Sequence, residues 1–191
     1  MESKYENLMI SDIKKCEEKF TYKEFCNCDF DNCDFLEVDF SYSVFEDCTF
    51  KDCNLSLVKF NNVKLINVQF QSSKLVGVVF SACNPLFIGM NFEECIIQNC
   101  NFSNLNLKKT LFRKSQMREN DFIDTGLVGS DFSSSNLRGT VFHNCNLTKA
   151  DFSNAVEYTI HPANNIVKKT IFTLPDAVGL LKHLDIIIKE S

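Results

Sequence analysis

The chain has 191 residues, of which 45% are hydrophobic and 24% charged, and its formal net charge is -5. This length suits one domain with a sizeable core, and the mild acidity argues against a general nucleic-acid-binding protein, which would carry a basic patch. We find no apolar stretch of the roughly 18 residues that span a membrane and no signal-like run in the opening MESKYENLMISDIKK, so we expect a cytoplasmic protein.

Residues 1–19 show no evident repeat, and we expect a short N-terminal cap there. From Phe20 onward, every fifth residue is Phe or Leu as far as Phe80. The register then slips by two residues within 81–86, resumes at Phe87 and continues to Phe152 with an apolar residue at every fifth position. We call these apolar positions centres. A fixed period of this kind predicts a repeat architecture.

Each five-residue unit also carries a small or β-branched residue two positions before its centre, for example Cys28, Val38 and Ser43. Two inward side chains separated by two residues are typical of a β-strand. An odd period would reverse the faces of a straight strand at every repeat, so the chain must turn a corner in each unit. Four corners close a coil of about 20 residues, and stacked coils pair as parallel strands.

The ten cysteines could indicate a metal site or disulfides, but eight of them occupy the small position before a centre. Cys is a good small core residue, and the paired C-x-x-C clusters of zinc sites are missing from the sequence. We expect reduced, packed thiols, with no metal and no cofactor. His143, His161 and His183 belong to no recognisable catalytic constellation, so we do not expect an enzyme.

Charge is uneven along the chain. Between residues 24 and 52 there are nine acidic residues and one lysine, a balance of about -8, whereas 108–118 holds five basic residues and no acid. Two interpretations remain open: the charges are simply solvated outward positions, or they form an anionic partner-binding surface that competes for a cationic DNA groove. The candidate surface consists of Asp29, Asp31, Asp34, Glu37, Asp39, Glu46, Asp47 and Asp52.

The C-terminal region departs from the regular repeat. Residues 153–172 predict one last irregular coil, with Pro162 and Val167 in register and Glu157 as a polar centre. Over 173–191, Pro175 predicts the first turn of a short helix, followed by a strand near Ile186–Ile188. The apolar side chains of this segment predict a lid, or a lid that is also a dimer interface. They are Leu174, Val178, Leu181, Leu184, Ile186 and Ile188.

Several units, such as Asn120-Asp121-Phe122, Ser135-Asn136-Leu137 and Ala150-Asp151-Phe152, resemble the A(D/N)LXX motif of the pentapeptide-repeat family. The resemblance covers about residues 20–172. It implies an all-β fold, a right-handed quadrilateral parallel β-helix with a short C-terminal capping helix. Many family members form homodimers through such a helix, so the resemblance also implies a dimer.

Bacterial members of this family include the Qnr, MfpA and microcin-immunity proteins, which act on DNA gyrase and topoisomerase IV. The segments 105–112, 157–169 and 174–181 are similar to the microcin-immunity branch. The two projecting loops of many Qnr proteins have no counterpart here. The resemblance implies a non-catalytic binding protein, a DNA mimic that modulates or protects gyrase or topoisomerase IV against quinolones or toxins without binding nucleic acid or membranes. The alternative is a structural or adaptor solenoid with another protein partner.

Overall fold

The protein forms a parallel β-solenoid of about eight coils. The structure, a computed structural model, describes residues 3–14, 20–184 and 186–187. Strands one coil apart pair in parallel, and in the regular coils the paired residues are 20 positions apart, as in Phe25 with Phe45 and Phe122 with Phe142. The predicted four-sided parallel β-helix is confirmed.

Short strands alternate with corners throughout the described residues. The strands are β1 (Ser3–Glu6), β2 (Met9–Ser11), β3 (Lys23–Cys26), β4 (Asp29–Asp31), β5 (Val44–Glu46), β6 (Thr49–Lys51), β7 (Lys64–Gln71), β8 (Lys74–Val76), β9 (Ile88–Glu93), β10 (Ile96–Gln98), β11 (Phe112–Arg113), β12 (Gln116–Arg118), β13 (Asp121–Ile123), β14 (Val141–His143), β15 (Asp151–Phe152), β16 (Thr159–Ile160) and β17 (Ile171–Phe172). The 3₁₀ helices are Phe80–Ala82, Pro162–Asn164 and Asp176–Leu184.

The corners explain the five-residue period. In the regular coils the residue two positions after each centre has a positive φ, for example Asn27 at 51° and Asp47 at 52°. After Gly, Asn and Asp tolerate this left-handed conformation best, yet Tyr42 (64°) and Lys109 (61°) adopt it as well. One left-handed residue per unit turns the chain, so every centre faces inward despite the odd period.

The Asp or Asn before many centres forms a hydrogen bond that stabilises the corner that follows. Its Oδ1 accepts the backbone N–H two residues later, as Asp34 does from Leu36 (3.1 Å), Asp131 from Ser133 (2.9 Å) and others. A short side chain that bonds its own backbone in this way stabilises a turn. This contact gives the second position of the pentapeptide motif its physical meaning.

The core is four columns of stacked centres. Along one column, the ring centroids of Phe92, Phe112, Phe132 and Phe152 lie 5.2, 4.9 and 4.9 Å apart with nearly parallel planes. Rings of neighbouring columns meet edge to face, as Phe112 and Phe122 do at 88°. Both arrangements are favourable for aromatic pairs, so the stacked rings supply a dry, continuous core.

The small positions bind the coils to one another. Ser135 Oγ donates to the carbonyl of Phe112 (2.6 Å), and Cys48 Sγ makes the matching contact with the carbonyl of Phe25 (3.4 Å). All nine described cysteines are free thiols, and eight of them are buried. Burial raises the pKa of Cys48 and Cys53 to about 12, so these thiols stay protonated and unreactive at neutral pH.

The N-terminal expectation was wrong, because the solenoid begins before residue 20. Strand β1 pairs with β3 and β2 pairs with β4, both in the 20-residue register. Tyr5 occupies the centre position and stacks on Phe25, with ring centroids 5.0 Å apart. The predicted cap at 1–19 is therefore, over residues 3–11, part of another coil.

The register break also differs from the expectation that Phe87 faces inward. Residues 84–87 form a turn in which the Phe87 N–H donates to the Asn84 carbonyl. Ile88 pairs with Leu65 and packs against the core in place of Phe87. The two extra residues are thereby absorbed at one corner, and Phe87 turns outward with 44% of its surface exposed.

The last coil is shortened before it regains the register. Ile160 pairs with Phe142 and is 1% exposed, so Ile160 rather than Pro162 is the centre. The helix expected after Pro175 is present as a 3₁₀ helix, whereas Ile186 and Ile187 lie outside any strand and Ile188 lies outside the described residues.

Among the residues that the structure describes, we find no helix with the length and apolar character that a membrane span requires.

Candidate protein-interaction surface

The solenoid has four faces, which we number in chain order around one coil. Face 1 carries the column of Phe25 and Phe45, face 2 that of Phe30 and Phe50, face 3 that of Phe35 and face 4 that of Phe40, with the register given by strand pairing. On each face, the residues immediately before and after the centre point outward, together with the corner residue that follows. These outward positions form the surface available to a partner.

The eight acidic candidates form a belt around the second and third coils. Face 1 carries Glu46, and its corner carries Asp47. Face 2 carries Asp29 and Asp31, and its corner carries Asp52. Face 3 carries Asp34, its corner carries Glu37, and face 4 carries Asp39. We call this set the acidic belt. The structure therefore brings the candidates together in two adjacent coils but spreads them around the circumference.

The rows of carboxylates that DNA mimicry would use are absent within this belt. In the strand register Asp29 pairs with Thr49, Asp31 with Lys51, Asp34 with Asn54 and Asp39 with Lys59. At the corner, Asp47 accepts a hydrogen bond from Asn67 Nδ2 at 2.7 Å. Like charges directly opposite each other destabilise paired strands, so the carboxylates alternate with neutral or basic partners along the axis.

The belt residues differ in how free they are to bind. Asp34 and Asp39 are half-buried and accept the turn N–H groups of Leu36 and Ser41. Asp29, Glu37, Glu46, Asp47 and Asp52 are exposed at the surface. The exposed members are the better candidates for contact with a partner, because the turn acceptors already serve the fold.

A shallow depression of about 370 Å³ lies within the belt, at the corner between faces 2 and 3. It is lined by Asp12, Asn32, Asp34 and Asp52 among others. A second depression of about 470 Å³ lies far from the belt, near Asp124 and Asn164. The first one is a concave feature lined by three carboxylates, and Lys14 lies among them.

The predicted basic run at 108–118 is divided among faces. Arg113 forms an ion pair with Asp131 at 2.6 Å, and Lys114 contacts Glu93 at 3.1 Å and Glu94 at 3.2 Å. Burial alone would raise the pKa of Asp131, but hydrogen bonds from Ser133 and Arg113 outweigh it and hold that pKa below its ordinary value. These two cations are compensated locally, so the run is not one continuous basic patch.

The C-terminal 3₁₀ helix presents a different face from the one predicted. A 3₁₀ helix has three residues per turn, and Leu180, which the predicted stripe omitted, packs against the core. His183 follows three residues later, and its ring stacks on His161 with centroids 4.0 Å apart. The predicted residues Leu174, Leu181, Leu184 and Ile186 are exposed, and Val178 is half-buried.

Within the part of the chain that the structure describes, no group of three or more His, Cys, Asp or Glu side chains could hold a metal ion.

Sequence reasoning missed two surface features: the outward turn of Leu86 and Phe87, and the alignment of lysines from three separate coils on one edge of face 1. The first depends on a local turn. The second could have been found by writing the sequence in rows of 20 residues after the break.

Comparisons with known proteins agree with this architecture. A family model described as "Pentapeptide repeat region" matches residues 23–85 and 78–152. Trypsin-treated QnrB1, a plasmid-mediated fluoroquinolone resistance protein, is a similar solved structure with a TM-score of 0.64 and 20% identity over 98% of this chain and 100% of that chain. HetL, a pentapeptide repeat protein involved in heterocyst differentiation regulation from the cyanobacterium Nostoc sp. strain PCC 7120, gives a TM-score of 0.52 and 17% identity over 80% of this chain and 61% of that chain. A comparison with curated proteins gives no match.

Proposed function

The chain belongs to the pentapeptide-repeat family, and from this premise we propose that it is a non-catalytic binding protein of the bacterial cytoplasm. Its partner in this proposal is a type II topoisomerase, DNA gyrase or topoisomerase IV. The acidic belt makes the contact, and the protein modulates the enzyme or shields it from a quinolone or a toxin. The observation that carries the proposal is the concentration of eight carboxylates in two adjacent coils.

The physical basis is electrostatic complementarity. A topoisomerase must bind duplex DNA, which carries one negative charge per about 1.7 Å of its axis, in a cationic groove. A rigid acidic rod is attracted to such a groove and arrives faster at low salt. The exposed Asp29, Glu37 and Asp52, which lie on faces 2 and 3, are placed to meet it.

The alternation of charged and neutral residues within the belt limits how closely this surface can mimic DNA. Because no carboxylate of the belt is paired with another carboxylate in the strand register, the surface does not reproduce the spacing of phosphates along a DNA strand. The proposed contact therefore depends on the summed field of the belt and on a few exposed carboxylates.

A matched pair of variants tests this proposal. The test variant is Asp29→Lys/Glu37→Lys, and the control is Asp121→Lys/Glu119→Lys. The control changes the net charge equally at the same types of position, one before a centre and one at a face 3 corner, several coils away. We expect the test variant to bind purified gyrase at least about tenfold more weakly while the control binds like the wild type. Equal binding by both variants would rule out the belt as the contact surface.

The second candidate function is an adaptor or structural solenoid with another protein partner. The observation that favours it is the circumferential spread of the belt, which gives no single face a dominant charge. Under this proposal, neither gyrase nor topoisomerase IV binds the protein at low salt, whereas binding to either enzyme would exclude it.

We also propose a homodimer formed end to end through the C-terminal segment. Leu174 is 79% exposed and Leu184 59% exposed, next to the exposed Leu181 and Ile186. Exposed apolar side chains at the end of a solenoid favour association. Truncation after Thr173 should give a monomer or an aggregate in light scattering, and a clean dimer from the truncated chain would contradict this interface.

A further inference from the structure

One edge of the solenoid is basic in its C-terminal coils. Lys109, Lys149 and Lys169 occupy the corner between faces 1 and 2, and Lys108 and Lys168 stand beside them on face 1. All five are exposed, and none takes part in the ion pairs found in the described part of the chain. Five uncompensated cations on one edge of an acidic protein mark a surface that fits an anionic partner.

The same face is acidic in its N-terminal coils. Glu6, Glu24 and Glu46 point outward from face 1 in the first, second and third coils, and Asp47 occupies the corner of the third. Glu6 and Glu46 are exposed and Glu24 is half-buried, and Glu6 contacts Lys4. One face therefore carries opposite charge at its two ends.

The middle of this face is apolar. Counting from Tyr5 to Val167, face 1 has nine levels, and the register break lies at the fifth. There Leu86 is 85% exposed and Phe87 44% exposed, with Lys64 Nζ 4.9 Å from the centroid of the Phe87 ring. An exposed Leu–Phe pair at the midpoint needs a cover that the described chain does not provide.

We propose that face 1 pairs with face 1 of a second copy in antiparallel orientation, about a twofold axis through the register break. A twofold interface must be self-complementary, and this face meets that condition. Glu6 and Lys168 each follow their centre by one residue, so this axis sets them opposite each other. Glu24 lies three levels before the break and Lys149 three levels after it, about 14 Å along the rod from the axis at about 4.8 Å per level, but toward opposite edges of the face. Glu6 and the Lys168–Lys169 pair each lie four levels from the axis.

The same symmetry brings Leu86 and Phe87 of one copy onto Leu86 and Phe87 of the other. The exposed apolar pair is then covered by its own copy, with attractive charges on both sides. Lys64, one level from the axis, faces the Lys108 level of the second copy. That contact and the one between Lys4 and the Lys168–Lys169 level are unfavourable, and the Phe87 ring beneath Lys64 partly compensates the charge of Lys64.

This lateral pairing does not rest on the proposed topoisomerase contact. It shares Glu46 and Asp47 with the acidic belt, but Asp29, Glu37 and Asp52 lie on other faces and stay free. It also differs physically from the end-to-end dimer. Electrostatic pairing weakens as salt shortens the screening length from about 10 Å at 0.1 M to about 3 Å at 1 M, whereas apolar end-to-end contact does not.

Disulfide trapping tests the position of the axis. A residue near a twofold axis meets its own copy, so Leu86→Cys should form disulfide-linked dimers under mild oxidation at low salt. Val79→Cys is the control, since Val79 is 49% exposed on face 4 of the regular coils. The wild type controls for the partly exposed Cys26. Equal cross-linking of the Leu86→Cys and Val79→Cys variants would overturn the proposal.

A charge-swap pair tests the antiparallel arrangement. One variant carries Lys149→Glu/Lys168→Glu/Lys169→Glu, and the other carries Glu6→Lys/Glu24→Lys/Glu46→Lys. Each alone sets like charges against each other and should lose the salt-sensitive association in sedimentation velocity, so its mass at low salt should fall to the mass that the wild type has at high salt. Mixed one to one, the two variants are complementary at both ends, and the wild-type mass should return.

The outcomes of the mixing experiment are unambiguous once folding is checked. Five of the six substituted side chains are exposed and Glu24 is half-buried, so both variants should melt within a few degrees of the wild type. A mixture that stays at the mass of the single variants would overturn the pairing. A single variant that keeps the wild-type mass and its salt dependence would overturn the pairing as well.

Discussion

The coils before the register break and those after it have the same geometry but different chemistry. Before the break, the small positions are mainly thiols and valines, such as Cys48, Cys53 and Val58. From the sixth coil onward they are mainly hydroxyls and amides, such as Ser130 and Asn120. In both regions the small side chain donates, where it can, to a carbonyl of the previous coil.

The outward positions differ between the two regions even more. The acidic belt belongs to the second and third coils. The exposed lysines at the edge of face 1 belong to the sixth, eighth and ninth coils, and they are Lys108, Lys109, Lys149, Lys168 and Lys169. The core requirement repeats from coil to coil, whereas the outward residues are free to vary. The comparison teaches that the solenoid separates its core from its surface: the columns of centres stabilise the coils, and each stretch of coils presents its own outward residues.

The largest expected effect tests whether the two regions share one core. Phe50 stacks between Phe30 and Phe70, and Phe132 between Phe112 and Phe152. Replacement of either Phe50 or Phe132 by Ala should cost about 3–5 kcal/mol through lost burial and a cavity. Urea unfolding measures both. A much smaller loss in one region would show that its column is not equally packed.

The next effect tests the chemistry of the small positions on face 3. Ser135→Ala removes the hydroxyl that donates to the Phe112 carbonyl and accepts the Ser115 N–H, and it should cost about 1–3 kcal/mol because buried partners are left unsatisfied. Cys53→Ser keeps a donor to the Phe30 carbonyl and should change the free energy of unfolding by less than about 1 kcal/mol. Thermal melts of both variants would contradict this order if Cys53→Ser were the more damaging.

The five-residue spacing of apolar residues in the sequence was enough to predict the inward columns of the core. Its odd period required a corner in every unit, and the positive φ two residues after the centres supplies it. The first coil was missed because Lys15 interrupts the apolar register that Tyr5 and Ile10 otherwise continue. Phe87 and Leu180 were misjudged because a single turn and a 3₁₀ period, neither visible in the repeat, decide where those side chains point.

The sequence predicted which residues make up the candidate surface but not how they are arranged around the solenoid. Counting acids along residues 24–52 identified the belt, but the faces on which Asp29, Glu37 and Asp39 lie follow only from the coil register. The same holds for Lys109, Lys149 and Lys169, which are far apart in sequence and lie along the same corner of the solenoid. Long-range stacking decides these groupings, so a linear scan of charge does not reveal them.

A third effect, confined to high pH, is an alkaline loss of stability. Burial raises the pKa of Cys48, Cys53, Cys83, Cys95 and Cys100 to about 12 and that of Cys145 to about 11, while an unfolded thiol titrates near 8.5. The folded state therefore binds more protons, and its stability is fully present below about pH 8.5 and falls as pH rises toward 12.

The matched variant for this effect is Cys48→Ser/Cys53→Ser, which removes two of the raised thiols from the region before the break. Its melting temperature should approach or exceed that of the wild type as the pH rises above about 9, since serine does not ionise in this range. Melting curves from pH 7 to pH 11 make the comparison. A constant difference between the two proteins across that range would contradict the thiol linkage.

The smallest expected effect concerns the exposed ion pairs after the break. Lys114, Glu93 and Glu94 all keep more than half of their side-chain surface exposed, and such pairs are worth about 0–1 kcal/mol. Lys114→Ala should change the melting temperature by only a few degrees, and less at high salt. A loss comparable to Ser135→Ala would show that the surface network helps to hold the coils together.

The central claim is that the acidic belt acts on a type II topoisomerase, and DNA supercoiling by purified gyrase tests it most directly. The wild type, Asp29→Lys/Glu37→Lys and Asp121→Lys/Glu119→Lys are titrated with and without a fluoroquinolone. We predict that the wild type and the Asp121→Lys/Glu119→Lys control change supercoiling or relieve drug-induced cleavage at low micromolar protein, and that Asp29→Lys/Glu37→Lys does not. No effect of the wild type at high excess, or equal effects of all three proteins, would contradict the account.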